Sequence, residues 1–368
     1  MKKLNKWIAG LLCMMLVITM VAGLGVMEVK ADDAVTTVSS WNELKNAISN
    51  GGDIQLTSNI TAGTGDYSFN VTRDVTIDLN GYTIDRNLNV QQDNVFSVMT
   101  DGTLIIKDTS EGQNGKIIGG WANEDYAGCI NVSGGTLILE SGNIVGNRSN
   151  STFTKRGGGV ALFYNGTFIM RGGKISENKA GYGAGVVVLD NCKFIMTGGE
   201  ITENICDFGD YQDQDGAGVF AYQGADVTIG GSAKIYGNKN SNGENSNLYI
   251  YRYNEKINLS TTVPLTTGAK IGVGYYQPYG KNEIPLADSG KQFKDAFFTD
   301  DDKNYEITTK DGVDGIFYSP KNSSGGSSTP STPTSYKLRV GGVEVTSANT
   351  SGTGWSYDNQ TNTLTLDG

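Results

Sequence analysis

The chain has 368 residues, 29 basic and 39 acidic side chains, a net charge of −10 and no histidine. The acidity argues against nucleic acid and anionic membrane surfaces as partners, and the missing histidine removes Ser–His and Cys–His nucleophile pairs and His-ligated zinc. With 51 glycines, six prolines and 38% hydrophobic residues, the composition suits a turn-rich all-β protein.

In chain order, Lys2, Lys3 and Lys6 precede an apolar run over residues 7–27, and Val29-Lys30-Ala31 fits a small-residue cleavage site. Residues 1–31 therefore read as a secretory signal peptide, although the run is also long enough for an uncleaved anchor. The expected location is secreted or at the cell surface. Three cysteines remain after cleavage, Cys129, Cys192 and Cys206. An odd number gives no complete disulfide framework, and they read as small buried side chains. Ser40-Trp41-Asn42-Glu43 is a capping box, and Trp41, Leu44, Ala47 and Ile48 share one helical face that ends at Gly51. Residues 32–52 are thus expected to form an N-terminal capping helix.

From residue 101 to about 273 one phrase recurs, at Thr103, Thr136, Thr167, Lys193, Asp226 and Lys256, at intervals of 33, 31, 26, 33 and 30 residues. Such a period, with a short alternating strand at a fixed place in each copy, marks a solenoid. Period-two alternation turns Leu104, Leu137, Phe168, Phe194, Val227 and Ile257 inward, and likewise Ile106, Leu139, Met170, Met196, Ile229 and Leu259. A second strand supplies Ile117, Ile144, Ile175, Ile201, Ile235 and Ile271. Three residues after four of these comes an asparagine, at 147, 178, 204 and 238. Its amide suits a tight turn and a ladder between coils. A third strand precedes each phrase, beginning at Gly128, Gly159, Gly185, Gly218 and Asn247. The expectation is all-β: a right-handed parallel β-helix with three strands per coil and about seven to nine coils, spanning residues 53–275.

The phrase GGGV…GTFIMRGGKISEN…GAGVVV…KFIMTGGEITEN resembles the right-handed β-helix repeats of secreted bacterial surface proteins with the pectin-lyase-like fold, over residues 53–273. That architecture hosts lyases, hydrolases, adhesins and spacers, so the resemblance speaks to fold rather than function. Residues 276–318 read as a C-terminal cap region and residues 319–335 as a flexible Ser/Gly/Pro linker. A hairpin around Gly341-Gly342 then opens a second β-module, residues 336–368, too short to bury a core and expected to be a truncated start. It resembles the opening of carbohydrate-binding modules in secreted proteins of Gram-positive anaerobes, which implies a Gram-positive-type bacterial surface.

Function is sought on outward positions, because inward ones are taken by packing. On the third strand the expected outward columns are Ile130, Ala161, Val187, Phe220 and Tyr249, and Val132, Phe163, Leu189, Tyr222 and Tyr251, extended by Tyr253. Rings stacked about 4.8 Å apart suit the C–H faces of sugars. Phe163, Phe220, Tyr222, Tyr249, Tyr251 and Tyr253 are therefore the candidate carbohydrate-binding residues, against the alternative that a loop covers this face. The outward Ile105, Ile138, Ile169 and Ile195 are expected to lie under an insertion such as residues 148–156. Asp207, Asp210, Asp213 and Asp215 form the candidate Ca²⁺ cluster, otherwise a solvated acidic loop. No other cofactor is expected. Lyases of this fold use clustered acids with Ca²⁺ and a basic side chain, and hydrolases use acids on neighbouring coils. Here Lys193 with Asp226, and Glu200 with Lys174 and Lys234, alternate as a salt-bridge ladder would, and no catalytic residue is assigned. The favoured function is non-catalytic adhesion or glycan binding to a host or cell-wall surface. Alternatives are a polysaccharide lyase or glycoside hydrolase, and a rigid spacer.

Overall fold

Strands form where β-branched, aromatic and long aliphatic residues alternate with polar ones, and each repeat places such a stretch one coil above the last. The computed structural model describes residues 35–122, 127–149, 156–207, 216–252, 255–275 and 283–321, together with short strands between 335 and 366. The chain divides into two units at residue 320. The first is a parallel β-solenoid of about seven turns.

Three long ladders build it. Sheet 1 stacks Gly52–Leu56, Asp74–Asp78, Thr103–Lys107, Thr136–Leu139, Thr167–Met170, Lys193–Met196, Asp226–Ile229 and Asn258–Leu259. Sheet 2 runs from Ile60–Thr61 through Lys116–Ile118 and Lys174–Ser176 to Lys234–Ile235. Sheet 3 runs from Phe69–Val71 through Ile130–Ser133 and Val186–Val188 to Leu248–Ile250. The long strand Lys270–Tyr275 pairs with both Lys234–Ile235 and Leu248–Ile250, fusing sheets 2 and 3 in the last coil. To the three strands per coil the structure adds a fourth ladder of two-residue rungs, Trp121–Ala122, Arg148–Ser149, Lys179–Ala180 and Ile205–Cys206.

The inward columns form as the alternation dictates. Leu104, Leu137, Phe168, Phe194 and Val227 are in register and buried, as are Ile117, Ile144, Ile175, Ile201, Ile235 and Ile271. Only Leu259, at the edge strand of sheet 1, is half-buried. Cys129, Cys192 and Cys206 are buried, and burial pushes the Cys129 thiol well up.

The helix Trp41–Asn50 buries Trp41, Leu44, Ala47 and Ile48 against the first strands of sheets 1 and 3, with Trp41 stacked 4.2 Å from Phe69. Its capping box is offset by one residue. Ser40 Oγ accepts from Glu43 N, but the Glu43 carboxylate reaches back to Ser39 N and Oγ, at 2.7 and 2.9 Å.

Asparagines 147, 178, 204 and 238 form the ladder, each amide donating to the next side-chain oxygen at 2.9–3.1 Å. Two members follow that the repeat does not announce. Asn238 donates to Asn247 Oδ1, and Asn247 donates to Asp300 Oδ1.

At the other end of the solenoid a carboxylate serves the turns. Asp78, 5% exposed, accepts from Thr109 Oγ1 at 2.6 Å, Gln55 Nε2 at 2.9 Å and the backbone of Asn80 and Thr109. Burial pushes its pKa up, but these donors outweigh burial and the net shift is downward. The folded state therefore binds this proton more weakly than the unfolded chain. The stabilisation is present above the ordinary carboxylate pKa of about 3.9 and is lost as pH falls through the lower folded value. Asp78→Asn is expected to cost about 1–3 kcal/mol at pH 7. The gap between wild-type and variant in thermal melts should narrow as pH falls below 4; a gap that stays constant would mean the charge is immaterial.

Beyond the last coil, Ile284–Ala287, Tyr305–Thr308 and Ile316–Pro320 form a small antiparallel sheet, and Phe297–Thr299 adds to Lys270–Tyr275. In the second unit, Ser335–Val340 and Val343–Thr346 pair as the hairpin expected around Gly341-Gly342. Ser351–Gly352, Trp355–Asp358 and Thr363–Leu366 form a further antiparallel sheet. No helix among the described residues is long and apolar enough to cross a membrane. Residues 1–34 lie outside the described residues.

Candidate functional site

Sheet 3 changes character along its outer face. Its middle outward position reads Asn70, Ser97, Asn131, Ala161, Val187, Phe220 and Tyr249 from one end to the other. The next reads Met99, Ser133 and Phe163, followed by Leu189, Tyr222 and Tyr251 just past the strand ends. Ile130 and Val132, expected outward, point into the core. Cys129, not Gly128, is level with Gly159, and this one-residue slip exchanges the two faces of that strand.

The slip matters, because it sets Asn131 and Ser133 beside Ser97 and Asn70 as a polar floor. These residues line a groove of about 900 Å³ with Ser68, Asp93, Asn94 and Met99; its other wall carries Arg156, Phe163, Tyr164, Asn165, Leu189, Asp190 and Asn191. The polar end is rigid. Asp93 accepts from Ser68 N at 3.0 Å and Asn94 N at 2.9 Å, and the buried Arg86 guanidinium lies 3.8 Å behind it. The buried Asn94 amide in turn donates to Phe96 O and Ser97 Oγ.

The aromatic candidates separate into two groups. Phe220 and Tyr249 are buried, at 4% and 5% exposure, and their rings lie 5.9 Å apart. Phe220 is covered from outside the strand. The Tyr182 ring lies 5.3 Å from Phe220, and the turns before the strands hug the sheet so closely that a Cβ on Gly216 would lie 2.9 Å from Phe220 Cβ. Phe163, Tyr222 and Tyr251 remain half-buried. Tyr222 and Tyr251 stack at 4.9 Å, with Arg156 5.7 Å over the first ring and Arg252 5.8 Å over the second. Tyr253 lies outside the described residues.

Between the polar floor and this strip stands Tyr164, 79% exposed. Tyr164 and Asn165 have φ of 50° and 66°, and Gly166 N donates to Phe163 O, which makes a type I′ turn. Equivalent turns on other coils use one left-handed residue, Asp101, Asn191 or Gly224. A bulky ring at φ > 0 is disfavoured, and strain of this kind concentrates at binding sites. The sequence reading missed Tyr164; the signal available to it was Asn165-Gly166, a turn dipeptide that falls here one place later than usual, at the third and fourth positions.

The acidic loop offers less. Asp210, Asp213 and Asp215 lie outside the described residues. Asp207 is held by its backbone N–H to Ala180 O and lies beside Arg148 and Lys179 in a small cavity, surroundings that repel a cation. No group of three acidic or cysteine side chains among the described residues is placed to hold a metal ion. The charged column pairs as a ladder would: Lys193 with Asp226 at 3.7 Å and Lys234 with Glu200 at 2.8 Å, while Lys174 takes Glu203 instead of Glu200. Ile105, Ile138, Ile169 and Ile195 are half-buried.

A scan against protein-family models and searches of curated proteins and of solved structures return no match.

Proposed function

We propose that the protein binds carbohydrate in the sheet 3 groove and acts in adhesion at a glycan-bearing host or cell-wall surface, exported by the leader at residues 1–31. The observation that carries this reading is the meeting of a rigid amide and hydroxyl floor with the exposed, strained Tyr164 and the half-buried Phe163 in one open groove, beside the Tyr222–Tyr251 stack. Sugars need both kinds of surface: hydrogen-bonding groups for their hydroxyls and aromatic faces for their C–H groups. The groove crosses successive coils, about 4.8 Å apart, so an extended glycan would lie along the solenoid axis. The resemblance to secreted bacterial β-helix proteins, and that of the second unit to carbohydrate-binding modules, agree with this location.

The full chain would be tested on immobilised plant, mucin and cell-wall glycans, with Tyr164→Ala, Tyr222→Ala and Ser97→Ala/Asn131→Ala variants. Each tyrosine variant is expected to weaken binding about tenfold or more, that is at least about 1.4 kcal/mol. Tyr164→Gly should also weaken binding while raising stability by up to about 1 kcal/mol, because glycine relieves the left-handed strain. Binding indifferent to all these changes would move the site elsewhere. New reducing or unsaturated ends would make the protein a hydrolase or lyase, and no binding to any glycan would favour the spacer.

A further inference from the structure

A second cavity, of about 550 Å³, lies at the C-terminal end of the solenoid, away from the sheet 3 groove, and the asparagine ladder ends on its wall. Asp300 is its central group. It is fixed by two donors from one residue, Asn247 N and Nδ2, both at 2.6 Å. Burial dominates its electrostatics and pushes its pKa up to about 6 against those two hydrogen bonds. The attractive charge upon it is Lys239, whose ammonium is already engaged by Asn245 Oδ1 at 2.9 Å.

The rest of the lining does not compensate. Glu244, Asp301 and Asp302 bring the carboxylates to four, against the two ammonium groups of Lys239 and Lys303. Four tyrosines complete the wall: Tyr249, Tyr275, Tyr305 and Tyr318. Tyr275 is 5% exposed and its hydroxyl has no hydrogen-bond partner among the described residues. A buried hydroxyl left unpaired costs about 1–3 kcal/mol. A ligand with a hydroxyl or amine would remove that cost. The carboxylates do not converge as a metal ion requires. An ammonium group needs less: one or two carboxylates and an aromatic face.

We infer that this cavity is a binding site for a small polar ligand carrying a primary ammonium group, such as an amino sugar, held by Asp300 and the tyrosine wall. The inference does not depend on the groove. The cation compensates the poorly solvated carboxylate, so affinity follows the ionisation of Asp300.

Glucosamine, with glucose as its neutral counterpart and calcium chloride as the metal arm, would be titrated into the full chain by calorimetry at pH 5 and 7. Glucosamine is expected to bind about tenfold more tightly at pH 7, as Asp300 goes from about one-tenth to about nine-tenths ionised. Glucose should bind at least tenfold more weakly. Asp300→Asn should abolish the pH dependence and most of the binding. Because that variant sets an amide against the Asn247 donors and can disturb the fold, Glu244→Gln serves beside it. Glu244 is exposed, so its loss should weaken glucosamine two- to threefold without moving the melting temperature. Tyr222→Ala, in the ring strip beside the groove, should leave this binding unchanged. Equal binding of glucose, a pH-independent affinity, calcium binding in place of glucosamine, or no heat from any of the three would overturn the assignment.

Discussion

Phe194→Ala is expected to destabilise the solenoid by about 3–5 kcal/mol, the range for truncating a fully buried aromatic ring. Phe194 has no exposed surface and stacks on Phe168 at 5.2 Å with 26° between the ring planes. The cost should sit high in that range, because the walls around the lost ring are hydrogen-bonded rungs whose spacing is fixed, and they cannot close on the void. Phe194→Leu, which keeps most of the volume, should cost about 1–1.5 kcal/mol. Ile195→Ala, one residue on but half-buried on the outer face, should cost less than 1 kcal/mol. Denaturant unfolding gives these differences, and hydrogen exchange shows where they act. In a solenoid each coil touches only its neighbours, so protection should fall first in the rungs at 167–170, 193–196 and 226–229. A uniform loss of protection along the chain would mean that the solenoid unfolds as a single cooperative block.

The contrast between Phe194 and Ile195 shows why the fold was legible in the sequence. Strand alternation assigns each residue of TFIM or KFIM to one face without reference to anything distant, and six copies repeat the answer. The candidate site was legible only in part. Gly128 looks like the glycine that opens the other copies, so the third strand reads one residue early and Ile130 and Val132 take the outward places that Asn131 and Ser133 occupy. The groove's polar end comes from residues 66–99, which lack the phrase altogether, so no repeat could align Asp93 with the floor. The burial of Phe220 depends on a turn that folds back over the sheet and on the Tyr182 ring, and a list of strand positions carries no record of them. Asn247 and Asp300 extend the ladder from outside the repeat: one stands nine residues after Asn238, and the other arrives from the C-terminal segment.

That ladder gives the other large effect. Asn178→Ala is expected to cost about 3 kcal/mol or more, although it removes little apolar volume. Asn178 is fully buried and serves both neighbouring coils. Its Oδ1 accepts from Asn147 N and Nδ2 at 2.9 and 3.1 Å, and its amide donates to Ile144 O and Asn204 Oδ1 at 3.1 and 3.0 Å. Alanine would leave Asn147 N and Ile144 O buried without these partners, at about 1–3 kcal/mol for each such group. Asn178→Asp separates hydrogen bonding from size. The aspartate oxygen can still accept from Asn147, but the second oxygen faces two acceptors, so the variant buries a charge that nothing on that side stabilises. Its folded pKa is raised, so the folded state holds the proton more tightly than the unfolded chain, and the variant gains stability as pH falls through that raised value. At pH 7 Asn178→Asp should be less stable than Asn178→Ala, and by pH 4 it should have recovered much of the difference, since a protonated carboxyl donates one of the two lost hydrogen bonds. Melts of the two variants across that range decide the point. If Asn178→Asp were the more stable at pH 7, the ladder would be holding its coils by shape rather than by paired donors and acceptors.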